Sequence, residues 1–145
     1  MGSPVFVGFQ RILVAFDGSP HAEHVLNVAF SMAGEGKAKL HVLSVIRPPE
    51  FAESAELHAV LDDERDRFEH YFGSMRERAK EKKIELETEI AIGHDAEQII
   101  QVADKTHASV IVIGKRRHTI LHRWMHGSKT ERVLEYARCP VIIVH

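Results

Sequence analysis

Cysteine is nearly absent from this chain of 145 residues: Cys139 is the single one. A lone thiol excludes an internal disulfide framework and fits a reducing compartment, so a cytoplasmic location is the expectation. Long apolar runs are also missing, and none approaches the roughly 20 residues that a membrane-spanning helix needs. Charge of one sign is lacking too. The 19 Lys and Arg nearly balance the 21 Asp and Glu, for a net −2, so no global field draws the chain to nucleic acid or to a membrane. The start Met1-Gly2-Ser3-Pro4 lacks the basic-then-apolar pattern of a signal peptide, and residues 1–9 read as a short leader. There is no internal repeat, linker or low-complexity stretch. What remains is one domain over 10–145, long enough to bury a core without disulfides or metals.

Strand-like and helix-like segments alternate along that domain. Ile12 to Phe16 is a short apolar run ended by Asp17-Gly18-Ser19-Pro20, a buried strand and its turn. Ser19 suits an N-cap and Pro20 the first helical position. Ala22, Val25, Leu26, Ala29 and Phe30 follow at helical spacing, with a stop expected near Gly34-Glu35-Gly36. Leu40 to Ile46 is a second strand, closed by Pro48-Pro49. Leu57, Leu61, Phe68, Phe72, Met75 and Ala79 mark one long amphipathic helix from about Ser54 to Lys83. From Ile84 to Ile92 apolar residues alternate with Glu85, Glu87 and Glu89, which predicts an edge strand with one wet face. After Gly93-His94, Asp95 and Gln98 have the spacing of a capping box for a third helix. Val110 to Ile113 is uninterrupted and predicts a strand buried on both faces. Gly127-Ser128-Lys129-Thr130-Glu131 opens a last helix, and Val141-Ile142-Ile143-Val144 is a last strand. Such alternation with short links implies a parallel sheet with helices on both faces.

Open parallel sheets bind ligands beyond the carboxyl ends of their strands, where the strand order reverses. Two loops are therefore of interest. After the fourth strand, Gly114 is followed by a stretch with Lys115, Arg116, Arg117 and Arg123 and no acid. It ends at Gly127-Ser128 before a helix, with Glu131 three residues after Ser128. Free N–H groups and the helix dipole favour an anion there, and Gly127 lets a phosphate approach the backbone. Ser-x-x-Glu is equally a plain helix start, so spacing alone leaves both readings open. After the first strand, Asp17 is either a turn residue bonded to its own backbone or a ligand contact.

Gly114-Lys115-Arg116-Arg117, nine residues from His118 to His126, then Gly127-Ser128, resembles the G-x-x-G, nine residues, G-[ST] motif of universal stress proteins that bind ATP. The resemblance extends to Asp17-Gly18-Ser19, to Val42–Ile46, to Gly93 and to Cys139-Pro140 with the strand after it, and so spans residues 10–145. It implies an open five-stranded parallel sheet of order 3-2-1-4-5, of the adenine-nucleotide alpha-hydrolase-like class. It also implies an adenine nucleotide, ATP, ADP or AMP, with Mg2+ admitted as counter-ion. On the same ground the contacts are Asp17 near the adenosine, the Val45 backbone at the adenine, and Gly114, Lys115, Arg116, Arg117, Gly127, Ser128, Lys129 and Thr130 along the phosphates. Arg117 stands where the family pattern has its second glycine. It either blocks the phosphates or covers them with its guanidinium.

Catalytic signals are weak. The sequence has no Walker loop, no HIGH-type sequence and no Ser-Gly-Gly-x-Asp-Ser loop, and no motif places a base to activate water. His118, His122 and His126 recur every four residues, but without an adjacent Cys or carboxylate they read as loop residues rather than a zinc site. The expected function is adenine-nucleotide binding in stress signalling, with slow hydrolysis open and an unidentified protein as partner. The alternative is a dimeric interaction protein in which Arg117 closes the site. In the 3-2-1-4-5 order Val141, Ile142, Ile143 and Val144 form an unprotected apolar edge, which predicts a homodimer through that strand.

Overall fold

The computed structural model describes residues 8–115 and 129–145. Five strands form one parallel sheet: β1 (Arg11–Ala15), β2 (Lys39–Ile46), β3 (Leu86–Ile92), β4 (Val110–Gly114) and β5 (Val141–Val144). Their order is β3-β2-β1-β4-β5, as the resemblance implies, and every neighbouring pair is parallel. Among the described residues four helices link them: α1 (Pro20–Gly36), α2 (Ser54–Lys82), α3 (Asp95–Thr106) and α4 (Lys129–Tyr136).

The two faces follow from the period of two along each strand. Ile12, Val14, Leu40, Val42, Val110 and Val112 face α1 and α2, and pack on Val25, Leu26, Ala29, Phe30, Phe68 and Phe72. Leu13, Leu43, Ile111 and Ile113 face α3 and α4, and pack on Ile99, Val102, Ala103 and Val133. β4 is buried from Val110 to Ile113, as its unbroken apolar run requires. β3 is the other edge of the sheet, and the expected wet face is only partly realised: Leu86 and Ile90 pack on the α1–α2 core and Glu87 is exposed, but Glu89 is half-buried and Ile92 is exposed.

Several boundaries differ from the sequence reading, each for a local reason. The predicted capping box is not formed. His94 is the extended residue before α3 and makes no side-chain cap bond, while Asp95 is already helical. The Gln98 side chain instead folds back over Gly93, whose φ of 148° leaves room for it. α1 ends at Gly36, within the stop expected at Gly34-Glu35-Gly36, and its left-handed cap is Lys37, with its N–H on the Ala33 carbonyl. β3 starts at Leu86, because Ile84 N–H is spent on the Ala79 carbonyl at the end of α2. Of the six apolar positions read along α2, only Phe68, Phe72, Met75 and Ala79 are buried. Twenty-nine residues make a helix of about 44 Å, longer than strands of about 16–26 Å can cover, so Leu57 and Leu61 stay half-buried.

Candidate functional site

The strand order reverses between β1 and β4, and their carboxyl ends open a crevice at that point. The turn after β1 is held from three sides. Ser19 caps α1, its Oγ accepting the Ala22 N–H at 3.1 Å, with Pro20 in the first turn as the sequence predicts. Asp17 Oδ1 accepts the Ser19 N–H at 3.0 Å, so Asp17 fulfils its turn role. Ser44, in the middle of β2, is fully buried, and its Oγ donates to the Phe16 carbonyl at 2.7 Å. From outside, α2 presses on the same turn. Tyr71 OH donates to the Gly18 carbonyl at 3.4 Å, and a Cβ on Gly18 would lie 2.5 Å from Arg67 Nη1. Gly18 has φ of 81°, a conformation that favours glycine; the Arg67 guanidinium is the end of a flexible side chain that can move aside. The Glu64 carboxylate holds Arg67 on two nitrogens, at 3.2 and 3.0 Å, and raises its pKa; Asp17 adds a smaller attraction.

Asp17, Ser19, His21, Gly114 and Lys129 line one recess at this crevice. Two predicted contacts from the far ends of the basic segment, Gly114 and Lys129, are thus brought to Asp17 by the fold. Thr130 follows Lys129 in α4 and is half-buried. Lys115 is exposed at the end of β4, with its N–H on the Val144 carbonyl at 3.0 Å. Val45 is half-buried on β2 and pairs with Ala91 of β3. The β1 ladder ends two residues earlier, at Ala15 and Leu43, so Val45 lies past the reach of β1. Arg116, Arg117, Gly127, Ser128 and the three spaced histidines lie outside the described residues. Among the described residues no cluster of His, Cys, Asp and Glu is arranged to hold a metal, and no helix is long and apolar enough to cross a membrane.

The recess has a volume of about 20 Å³. A larger groove of about 210 Å³ lies at the amino edge, lined by Arg11, Lys39, His41, Glu87 and Lys105 among others. Its charges already serve each other. Lys39 Nζ is 2.7 Å from Glu87, Lys105 Nζ is 2.8 Å from Glu89, and Arg11 Nη1 donates to the Thr106 carbonyl. The smaller recess is the better candidate, because it sits at the topological switch point and holds Asp17, Gly114 and Lys129 together.

Sequence reasoning missed Ser44, His21, Arg67 and Tyr71. Ser44 left a faint signal as the one hydroxyl in the run Val42–Ile46; the others act through pairings of distant segments that no local pattern encodes. Cys139 is half-buried beside β5, and burial raises its thiol pKa, with Asp104 adding to the effect. It is a packing residue with little thiolate character.

The family model that matches residues 8–145 is that of the universal stress protein family. The chain is 32% identical to the universal stress protein YxiE of Bacillus subtilis, over 94% of this chain and 99% of that one. It is 30% identical to the universal stress protein MJ0531 of Methanocaldococcus jannaschii, over 94% and 82%. Among solved structures it superposes on the universal stress protein UspA of Lactobacillus plantarum with a TM-score of 0.77 and 26% identity, over 95% and 99% of the two chains. A universal stress protein solved in complex with cAMP gives a TM-score of 0.66 at 25% identity, over 95% and 98%.

Proposed function

The chain belongs to the universal stress protein family, and from that membership we propose that it is a stress-response protein that binds an adenine nucleotide across the carboxyl edge of its sheet. One observation carries this reading: Asp17 after β1, Gly114 at the end of β4 and Lys129 in α4 line the same recess at the topological switch point. The cAMP complex of a similar protein supports the ligand class. ATP, ADP or AMP would lay its adenine toward the Val45 backbone and its ribose toward Asp17. Its phosphates would meet Gly114, Lys115, Arg116, Arg117, Gly127, Ser128, Lys129 and Thr130, with Mg2+ as counter-ion to the longer nucleotides. The lysines supply charge, and a serine hydroxyl and N–H groups supply donors, which suits binding an anion. No described residue stands out as a base for attacking water, so occupancy itself is the signal that a protein partner reads. The assembly is a homodimer joined through β5.

The test is mass spectrometry of nucleotide released from the denatured purified chain, followed by calorimetric titration with ATP, ADP and AMP. Gly127→Val is expected to abolish binding while the thermal midpoint changes little, because its methyl groups would occupy the space a phosphate needs. Undiminished affinity in that variant would refute the phosphate assignment. A second reading is favoured by the size of the recess, about 20 Å³, which is far below the roughly 300–1,000 Å³ of common small-molecule sites. In it, Arg117 closes the site and the protein acts through its surface alone. Arg117→Gly separates the two: binding that appears only in the variant establishes closure, and weaker, less salt-sensitive binding establishes a phosphate contact.

A further inference from the structure

The carbonyl oxygen of Val144 is a junction of three segments. It accepts the backbone N–H of Lys115 at 3.0 Å, and it lies 3.1 Å from Nε2 of His21. A carbonyl only accepts, so Nε2 carries the proton and donates. Val144 is the last residue of the edge strand β5, Lys115 is the first residue after β4, and His21 stands in the first turn of α1. The His21 ring is also a wall of the candidate recess. It packs so closely that a Cβ on Gly114 would lie 2.8 Å from its Cδ2. α1 does not need this bond for its own start, which Ser19 already caps.

We propose that His21 is a positioning residue that ties the end of β5 to the start of the basic segment, so that nucleotide occupancy and the order of the edge strand are energetically linked. β5 has four residues and, among the described residues, a ladder on one side only, with β4. A strand so short frays at its end unless something besides the ladder holds it. Lys115 and His21 share one acceptor there, so a ligand that fixes Gly114 and Lys115 also fixes Val144. The coupling is reciprocal: a β5 held in place presents the Lys115 backbone in its binding position. The ligand half of this proposal rests on the nucleotide reading; the tie itself does not.

Hydrogen exchange on the full chain, with and without saturating ATP, tests it in three forms: unmodified, His21→Ala and His21→Gln. Glutamine keeps an N–H donor at similar reach without the ring. In His21→Ala the amides of Lys115 and β5 are expected to exchange about tenfold faster, with those of β1 and β2 unchanged, and ATP affinity to fall about tenfold. His21→Gln should restore both, and ATP should slow β5 exchange in the unmodified chain but not in His21→Ala. Unchanged exchange at Lys115 and β5 in His21→Ala overturns the tie. So does acceleration spread evenly over the sheet, which marks a merely structural role, and so does failure of glutamine to restore. ATP that binds without slowing β5 overturns the linkage alone. If calorimetry finds no ATP binding to the unmodified chain, the nucleotide reading fails, and the linkage with it, while exchange at Lys115 still decides the tie.

Discussion

Gly114 shows how one residue serves the site through packing. Its φ is not in the left-handed region, so backbone freedom is not why glycine stands there. The reason is space: a Cβ would lie 2.8 Å from a Val25 methyl and 2.8–2.9 Å from the His21 ring. The first glycine of the motif therefore lets α1 close down on the end of β4, which brings the Ser19 cap and Asp17 beside it. Gly114→Ala is expected to destabilise the chain by about 1–3 kcal/mol through overpacking, measured by urea denaturation. Adding His21→Ala should recover only part of this, since the stiff Val25 remains. Full recovery in the double variant would place the whole clash on the ring. The motif was legible in the sequence as a spacing, but its neighbours His21 and Val25 were not, because they come from the helix that follows another strand.

At the scale of elements, the helices end in an unusual way. Lys37, Lys83 and His107 are left-handed caps with φ of 53–57°, a position that glycine takes most readily. Each carries a side chain that can be cationic at a helix C-terminus, where the dipole offsets some of the conformational cost. Lys83 is exposed, so Lys83→Gly tests the balance: stability should rise by about 1 kcal/mol in a thermal or urea melt. A loss instead would show that charge outweighs conformation. The β3 edge supplies a pH test. The Lys39 ammonium bonded to Glu87 lowers that carboxyl below the usual glutamate range, and the same bond raises Lys39. A depressed glutamate stabilises the fold above its unfolded pKa and loses that contribution as pH falls through its folded one. A raised lysine stabilises below its unfolded pKa and loses its contribution as pH rises through its folded one. The pair therefore acts across the neutral range. Glu87→Gln should flatten the acid limb of the stability curve, measured by urea melts from pH 7 down to about pH 3. The difference should shrink in about 1 M salt, because both side chains meet solvent.

At the scale of the whole molecule, β5 is the open question that the sheet poses. The bonds Ile111 N–H to Pro140 and Lys115 N–H to Val144 put the backbone of 140, 142 and 144 toward β4. By parallel alternation the N–H and C=O of Val141 and Ile143 point outward, along an edge with no strand beside it among the described residues. Their side chains are half-buried against the α3–α4 core, so lysine at either site would disturb the fold as well as the edge. Proline at 143 removes an outward donor without breaking the β4 ladder. Light scattering should find the unmodified chain dimeric and Ile143→Pro monomeric, with its circular dichroism retained. A monomeric unmodified chain, or a folded variant that still pairs, would remove β5 from the interface. Exposed Leu134 and Tyr136 on α4 give a further apolar surface to cover.

Local patterns in the chain were enough for the order of elements, the buried β4, the stop of α1 near Gly36, the Ser19–Pro20 start of α1 and the family motif. All of these rest on contacts between near neighbours or on a period of two or 3.6, which a one-dimensional pattern records. The tertiary structure decided how the helix ends are capped and what stands around the site. Lys37 rather than glycine caps α1, and Gln98 folds over Gly93 instead of completing a capping box. Ser44 holds the Asp17 turn from a neighbouring strand, and His21 reaches a carbonyl 123 residues away. The last two depend on which distant segments the parallel crossovers bring together, and residue spacing along the chain carries no record of that.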